Sequence, residues 1–140
     1  MNLLEICDRS LVTVPLEASA EDAVRQMIER KVGAVLVLDA DGVVAGIFTE
    51  RDALTKLALS GRAPATVPVR ELMTGTVEMA TESTSPFVAL SVMMDRHYRH
   101  LPIVDAAGKP IGMLSIRDAL DARIDDLYHE LETAKSKAHS

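Results

Sequence analysis

Residues 33–54 read GAVLVLDADGVVAGIFTERDAL, and residues 99–120 read RHLPIVDAAGKPIGMLSIRDAL. The two stretches align without a gap at a spacing of 66 positions. Eight of the 22 pairs are identical: Asp39/Asp105, Ala40/Ala106, Gly42/Gly108, Gly46/Gly112, Arg51/Arg117, Asp52/Asp118, Ala53/Ala119 and Leu54/Leu120. Residue frequencies alone would give about one or two. Most other pairs exchange one apolar residue for another. One unit is therefore written twice, and a site built from the repeated polar residues should occur twice. A unit of this length is βαβ-sized rather than a short solenoid repeat.

Outward from that core, each half follows one plan. A short lead-in helix (Leu3–Cys7; Val69–Met73) precedes a short strand (Leu11–Val14; Thr76–Ala80). An amphipathic helix follows. Its apolar positions are Ala20, Ala23, Val24, Met27 and Ile28 in one half, and Pro86, Ala89, Leu90, Met93 and Met94 in the other. Both sets trace one helical face. Ser19 predicts an N-cap with Asp22 at N3, and Ser85-Pro86 is the favoured N-cap and N1 pair. Val35–Leu38 and Leu101–Val104 are continuous apolar runs, as in strands buried on both faces. Asp39-Ala40-Asp41-Gly42 and Asp105-Ala106-Ala107-Gly108 are turn signals leading into third strands over Val43–Phe48 and Lys109–Leu114. Closing helices begin near Glu50 and Ile116.

The expected fold class is α/β, with two pseudo-symmetric β-α-β-β-α repeats packed as one module. Repeat one spans 3–64 and repeat two 69–126. Residues 65–68 are the linker, at the end of the Gly- and Pro-containing stretch 60–68. Residues 127–140 are expected to extend the last helix by a turn or two through Leu127 and Leu131, then fray into a polar tail.

Composition narrows the function classes. A chain of 140 residues that is 48% hydrophobic, with no Trp and two each of Tyr and Phe, must build an aliphatic core. A net charge of −6 argues against nucleic acid held on a general basic surface, while leaving room for a local basic pocket. No long apolar run or leader-like opening is present, so no membrane partner and a cytoplasmic location are expected. The single Cys7 cannot form an internal disulfide and reads as a small apolar helix residue. His97 and His100 have only Asp95 as a nearby further ligand, so no metal site is expected. The sequence carries no nucleophile elbow, phosphate loop or dinucleotide fingerprint, and no catalytic residue is assigned. Met93 and Met94 read as core or dimer packing.

The chemistry-bearing segments are Gly46-Ile47-Phe48-Thr49-Glu50-Arg51-Asp52 and Gly112-Met113-Leu114-Ser115-Ile116-Arg117-Asp118. In each, a hydroxyl ends a strand and a carboxylate follows three residues later in a helix's first turn. This is the spacing of a helix capping box. It equally places a hydroxyl and free N–H groups where a phosphate can bind, with a carboxylate beside them for vicinal ribose hydroxyls. Arg51 and Arg117 are either phosphate partners or solvated helix arginines. Spacing alone leaves both readings open.

These two segments resemble the Gly-h-x-Thr/Ser-x-x-Asp signature of cystathionine-β-synthase (CBS) domains, h being apolar. Arg99-His100-Leu101-Pro102-Ile103-Val104-Asp105 resembles the family's second-strand pattern. The resemblance covers about residues 3–126, in the tandem arrangement called a CBS pair or Bateman module. It implies a non-catalytic regulatory module that binds an adenine nucleotide (AMP, ADP or ATP) in clefts between the repeats and signals to a regulated protein. It also implies a disk-like homodimer. By the same resemblance Asp52 and Asp118 would hold ribose hydroxyls, with Thr49 and Ser115 near phosphate or ribose. The base would lie against Val12, Thr13, Gly33, Ala34 and Val35 in one half, and Glu78, Met79, His100, Leu101 and Pro102 in the other. Leu36 stands where the second repeat has Pro102, and Ile116 where the first has Glu50, so unequal sites are expected, the first motif matching better. The alternative is a ligand-free dimerisation scaffold in which Thr49 and Ser115 only cap helices.

Overall fold

The computed structural model describes residues 2–75 and 78–138. In the first repeat β1 (Thr13–Pro15) runs parallel to β2 (Ala34–Leu38), which pairs antiparallel with β3 (Val44–Thr49). In the second, β4 (His100–Val104) and β5 (Pro110–Ser115) form an antiparallel pair. The expected first strand over Thr76–Ala80 lies partly outside the described residues, at Thr76 and Val77. Its end is present: Ala80 bridges Ile103 in parallel, as β1 does β2. The helices are α1 (Ala20–Arg30), α2 (Glu50–Asp52), α3 (Pro86–Arg96) and α4 (Ile116–Ala138).

The duplication is visible in chain-level detail. Ser19 Oγ accepts from the Asp22 N–H at 3.0 Å, and Ser85 Oγ from the Val88 N–H at 3.1 Å, starting α1 and α3. Lys31 and His97, 66 positions apart, end these helices in the left-handed conformation, at φ 55° and 59°. The carboxylates of Asp39 and Asp105 each accept two backbone N–H groups across the following turn. Gly42 and Gly108 close those turns at φ +79° and +83°, where a Cβ would be strained.

Several elements differ from the sequence reading. Each lead-in is one short 3-10 turn, Leu3–Glu5 and Val69–Glu71, not a full helix. Ile28 and Met94, counted on the apolar helix faces, are exposed. They sit at equivalent edges where the repeat's own core has ended. α2 gives way to a π-helical turn over Ala53–Leu57. There Thr55 Oγ1 donates to the Arg51 carbonyl at 2.7 Å and competes with the regular ladder. The tail does not fray after two turns, because α4 continues to Ala138.

The lead-ins are exchanged between repeats. Asp8 and Met113 trade backbone hydrogen bonds of 2.9 Å, and Thr74 and Ile47 trade bonds of 2.9 and 3.1 Å. Leu3 therefore lies in the second repeat's core with Leu101, Ile103 and Leu114. Val67, Val69 and Leu72 lie in the first repeat's core with Val35, Val37 and Phe48. A third cluster joins Leu36, Val44 and Ile47 to Val104 of the other repeat. The halves thus share buried surface on three fronts and behave as one module.

Candidate nucleotide clefts

The motif carboxylates sit at strand-to-helix junctions anchored the same way in both repeats. The Glu50 N–H donates to the Gly33 carbonyl at 3.0 Å, and the equivalent Ile116 N–H to the Arg99 carbonyl at 2.8 Å. These bonds tie the start of each closing helix to the start of the second strand. Gly46 and Gly112 allow the exchanged lead-in to lie against the third strand. A Cβ on Gly46 would come 2.6 Å from Met73 Sδ and 2.7 Å from the Thr74 carbonyl oxygen. On Gly112 it would come 2.6 Å from Cys7 Sγ. Burial raises the Cys7 thiol's pKa, as suits a packing sulfur rather than a nucleophile.

Two cavities open where the repeats meet, and each takes walls from both. The first, of about 640 Å³, has Thr49, Asp52 and Arg51 on one side and Arg96, His97, Arg99 and His100 on the other. The second, of about 240 Å³, sets Ser115 and Asp118 against Val12, Gly33 and Ala34, with Asp8 beside them. Gly33 and His100 border both. Each motif thus faces the opposite repeat's strands. The first volume falls inside the range of small-molecule sites, ~300–1,000 Å³, and the second just below it.

Their electrostatics differ. Arg51, Arg96 and Arg99 line the first cleft together with Glu50 and Asp52, whereas the second is lined by Asp8 and Asp118 with no Lys or Arg. Asp52 is buried and forms a full capping box: Thr49 Oγ1 accepts from the Asp52 N–H, and Asp52 Oδ2 from the Thr49 N–H, both at 3.1 Å. Lys56 Nζ lies 3.2 Å from Asp52 Oδ1 and donates to the Leu72 carbonyl at 3.1 Å. The second repeat has Ala122 at the position of Lys56. Ser115 Oγ accepts from the Asp118 N–H at 3.0 Å, without the reciprocal bond. Capping is therefore realised at both motifs, in full only at the first. A carboxylate offers about four lone-pair directions, so Asp52 keeps acceptor capacity. Burial lowers the His100 pKa, with Glu50 opposing and Arg99 reinforcing the shift, so the ring favours its neutral form.

Other residues named from the sequence stand elsewhere. Val35, Leu101 and Pro102 have their side chains fully buried in the core, leaving only backbone to offer a ligand. Thr13 is exposed and borders a separate groove with Glu17 and Arg25. Alternation along β1 turns Val14 inward and Thr13 out. Met79 and Arg117 are exposed and stand outside both cleft walls. Glu78 is paired with Arg96 at 3.3 Å. Sequence reasoning missed Arg96 and Arg99 as walls of the first cleft. The signal available was the repeat itself, since Arg99 is equivalent to Gly33, which borders both cavities. Among the described residues no group of three His, Cys, Asp or Glu side chains is placed to hold a metal, and no helix is long and apolar enough to cross a membrane.

The model of the CBS domain family matches residues 4–59 and 69–125. A 17.7 kDa protein of Acidianus ambivalens is 36% identical over 131 residues, covering 94% of this chain and 77% of its own. The chain spans only 59% of a Methanopyrus kandleri relative and 62% of the mitochondrial protein CBSX3 of Arabidopsis thaliana. Among solved structures, a protein with CBS domains from Burkholderia ambifaria superposes with a TM-score of 0.81 at 35% identity, covering 90% of this chain and 96% of that one. CBSX2, solved in complex with AMP, superposes with a TM-score of 0.73 at 26% identity, covering 89% and 96%.

Proposed function

The chain belongs to the CBS-domain family as a tandem pair, and from that premise we propose that it is an adenine-nucleotide sensor whose principal site is the first cleft. CBS pairs are regulatory modules. One observation carries the choice of cleft: a carboxylate, Asp52, faces Arg96 and Arg99 across a cavity of about 640 Å³. Asp52 suits two vicinal ribose hydroxyls, and the guanidinium groups suit phosphate oxygens. Each charge-assisted bond contributes roughly 1.5–3 kcal/mol. The second cleft is small and acidic, so it repels phosphates and suits at most an uncharged nucleoside portion. The AMP bound by the relative CBSX2 supports an adenine nucleotide as the ligand class.

Signalling follows from the walls. A ligand bridging Asp52 and Arg99 joins residues of different repeats, so it binds best the arrangement in which they are correctly spaced, and shifts the population toward it. The exposed Ile28 and Leu54 and their equivalents Met94 and Leu120 lie on the helices and would carry that change to a second copy or a regulated protein. The assigned role is non-catalytic.

Calorimetric titration with AMP, ADP and ATP tests the proposal. The expected result is saturable binding of at least one of them, near one equivalent per chain, weakening as salt screens the arginines. No binding at millimolar nucleotide would remove the sensor reading. The full capping box, in which Thr49 and Asp52 satisfy each other within the chain, favours the scaffold as the second reading. With no Trp in the chain, 260 nm absorbance co-purifying with the protein would count against that scaffold.

A further inference from the structure

The last twelve described residues of α4, 127–138, are all exposed. A helical stretch of ~12 residues left this exposed is marginal in water. Ala119 and Ala122 face the second repeat, and another stripe faces outward. Leu120, Ile124, Leu127, Leu131, Ala134 and Ala138 recur in alternating steps of four and three residues. That is a heptad seam with Ile124, Leu131 and Ala138 at a positions and Leu120, Leu127 and Ala134 at d positions. Ile124, Leu127 and Leu131 are 58%, 47% and 50% exposed, too apolar a line for a face left in water.

We propose that α4 is a dimerisation arm that pairs with α4 of a second copy as a parallel, in-register two-stranded coiled coil. Charge selects this occupant and direction. Glu130 falls at a g position and Lys135 at the following e position, and neither has an ion-pair partner among the described residues. In a parallel pair each Glu130 meets the partner's Lys135, twice by symmetry. In an antiparallel pair sharing the same seam, Glu130 would face its own copy. The arm does not depend on nucleotide binding, and it places the two-fold axis along the helix pair.

The test reads register rather than mass. Cys7 is the only cysteine, so a Cys7→Ser, Ala134→Cys chain carries one thiol, at a d position. Position 134 is exposed and small, which leaves the fold undisturbed. Mild oxidation with diamide is expected to link most chains into covalent dimers. Adding Lys135→Glu should cut the yield several-fold, and adding Glu130→Lys to that variant should restore it. A chain that stays unlinked at 134 overturns the proposal. So does preferential linkage of Ala134→Cys to a separately tagged Ile124→Cys chain, the antiparallel product. Helix content measured by circular dichroism confirms that each variant is folded, and the nucleotide titration is read separately.

Discussion

At the residue scale the two motif glycines do different work despite identical positions. On Gly46 a methyl group would meet a backbone carbonyl held in a ladder, whereas on Gly112 its nearest neighbour is the Cys7 thiol. A side chain can turn aside and a paired carbonyl cannot. Gly46→Ala is expected to lower stability by about 2–3 kcal/mol and Gly112→Ala by about 1 kcal/mol, as urea unfolding would show. Equal losses would contradict this reading. His100 carries a pH dependence of definite sign. Its folded-state pKa lies below the ordinary 6.5, so the unfolded chain binds the proton more readily. The stabilising contribution is complete above 6.5 and is lost as pH falls through the folded value. His100→Gln should flatten the fall in unfolding midpoint between about pH 7 and pH 5.

At the element scale the helix starts were legible because caps are local. Ser19 and Ser85 each bond an N–H three residues on. Replacing either by Ala is expected to cost about 1 kcal/mol, measured by thermal or urea unfolding. Strands β2 and β4 were legible from unbroken apolar runs, and the Asp-x-x-Gly turns from their chemistry. The lead-ins look more helical in the sequence than they are because Leu3 and Val69 are apolar for a reason the local pattern hides: they fill the other repeat's core. The end of α4 is hard to see in the sequence because its polar composition masks the apolar spacing that continues through it.

At the scale of the whole molecule, exchange decides the site. The sequence made Thr49, Asp52, Ser115 and Asp118 conspicuous, since they recur at fixed spacing. It could not say which strands they face, because that depends on how two similar units cross. Crossing puts Arg96 and Arg99 over Asp52, and Val12 and Ala34 over Asp118. Inequality of the two clefts follows from residues that the repeat does not share, with Arg99 against Gly33 and Lys56 against Ala122. The measurement that bears most directly on this account is a parallel AMP titration of the unaltered chain, Asp52→Ala and Asp118→Ala. Loss of one or two charge-assisted bonds predicts an affinity at least ~10-fold weaker for Asp52→Ala, with Asp118→Ala within a factor of about two of the unaltered chain. Unchanged affinity in Asp52→Ala, or binding lost only in Asp118→Ala, would contradict it.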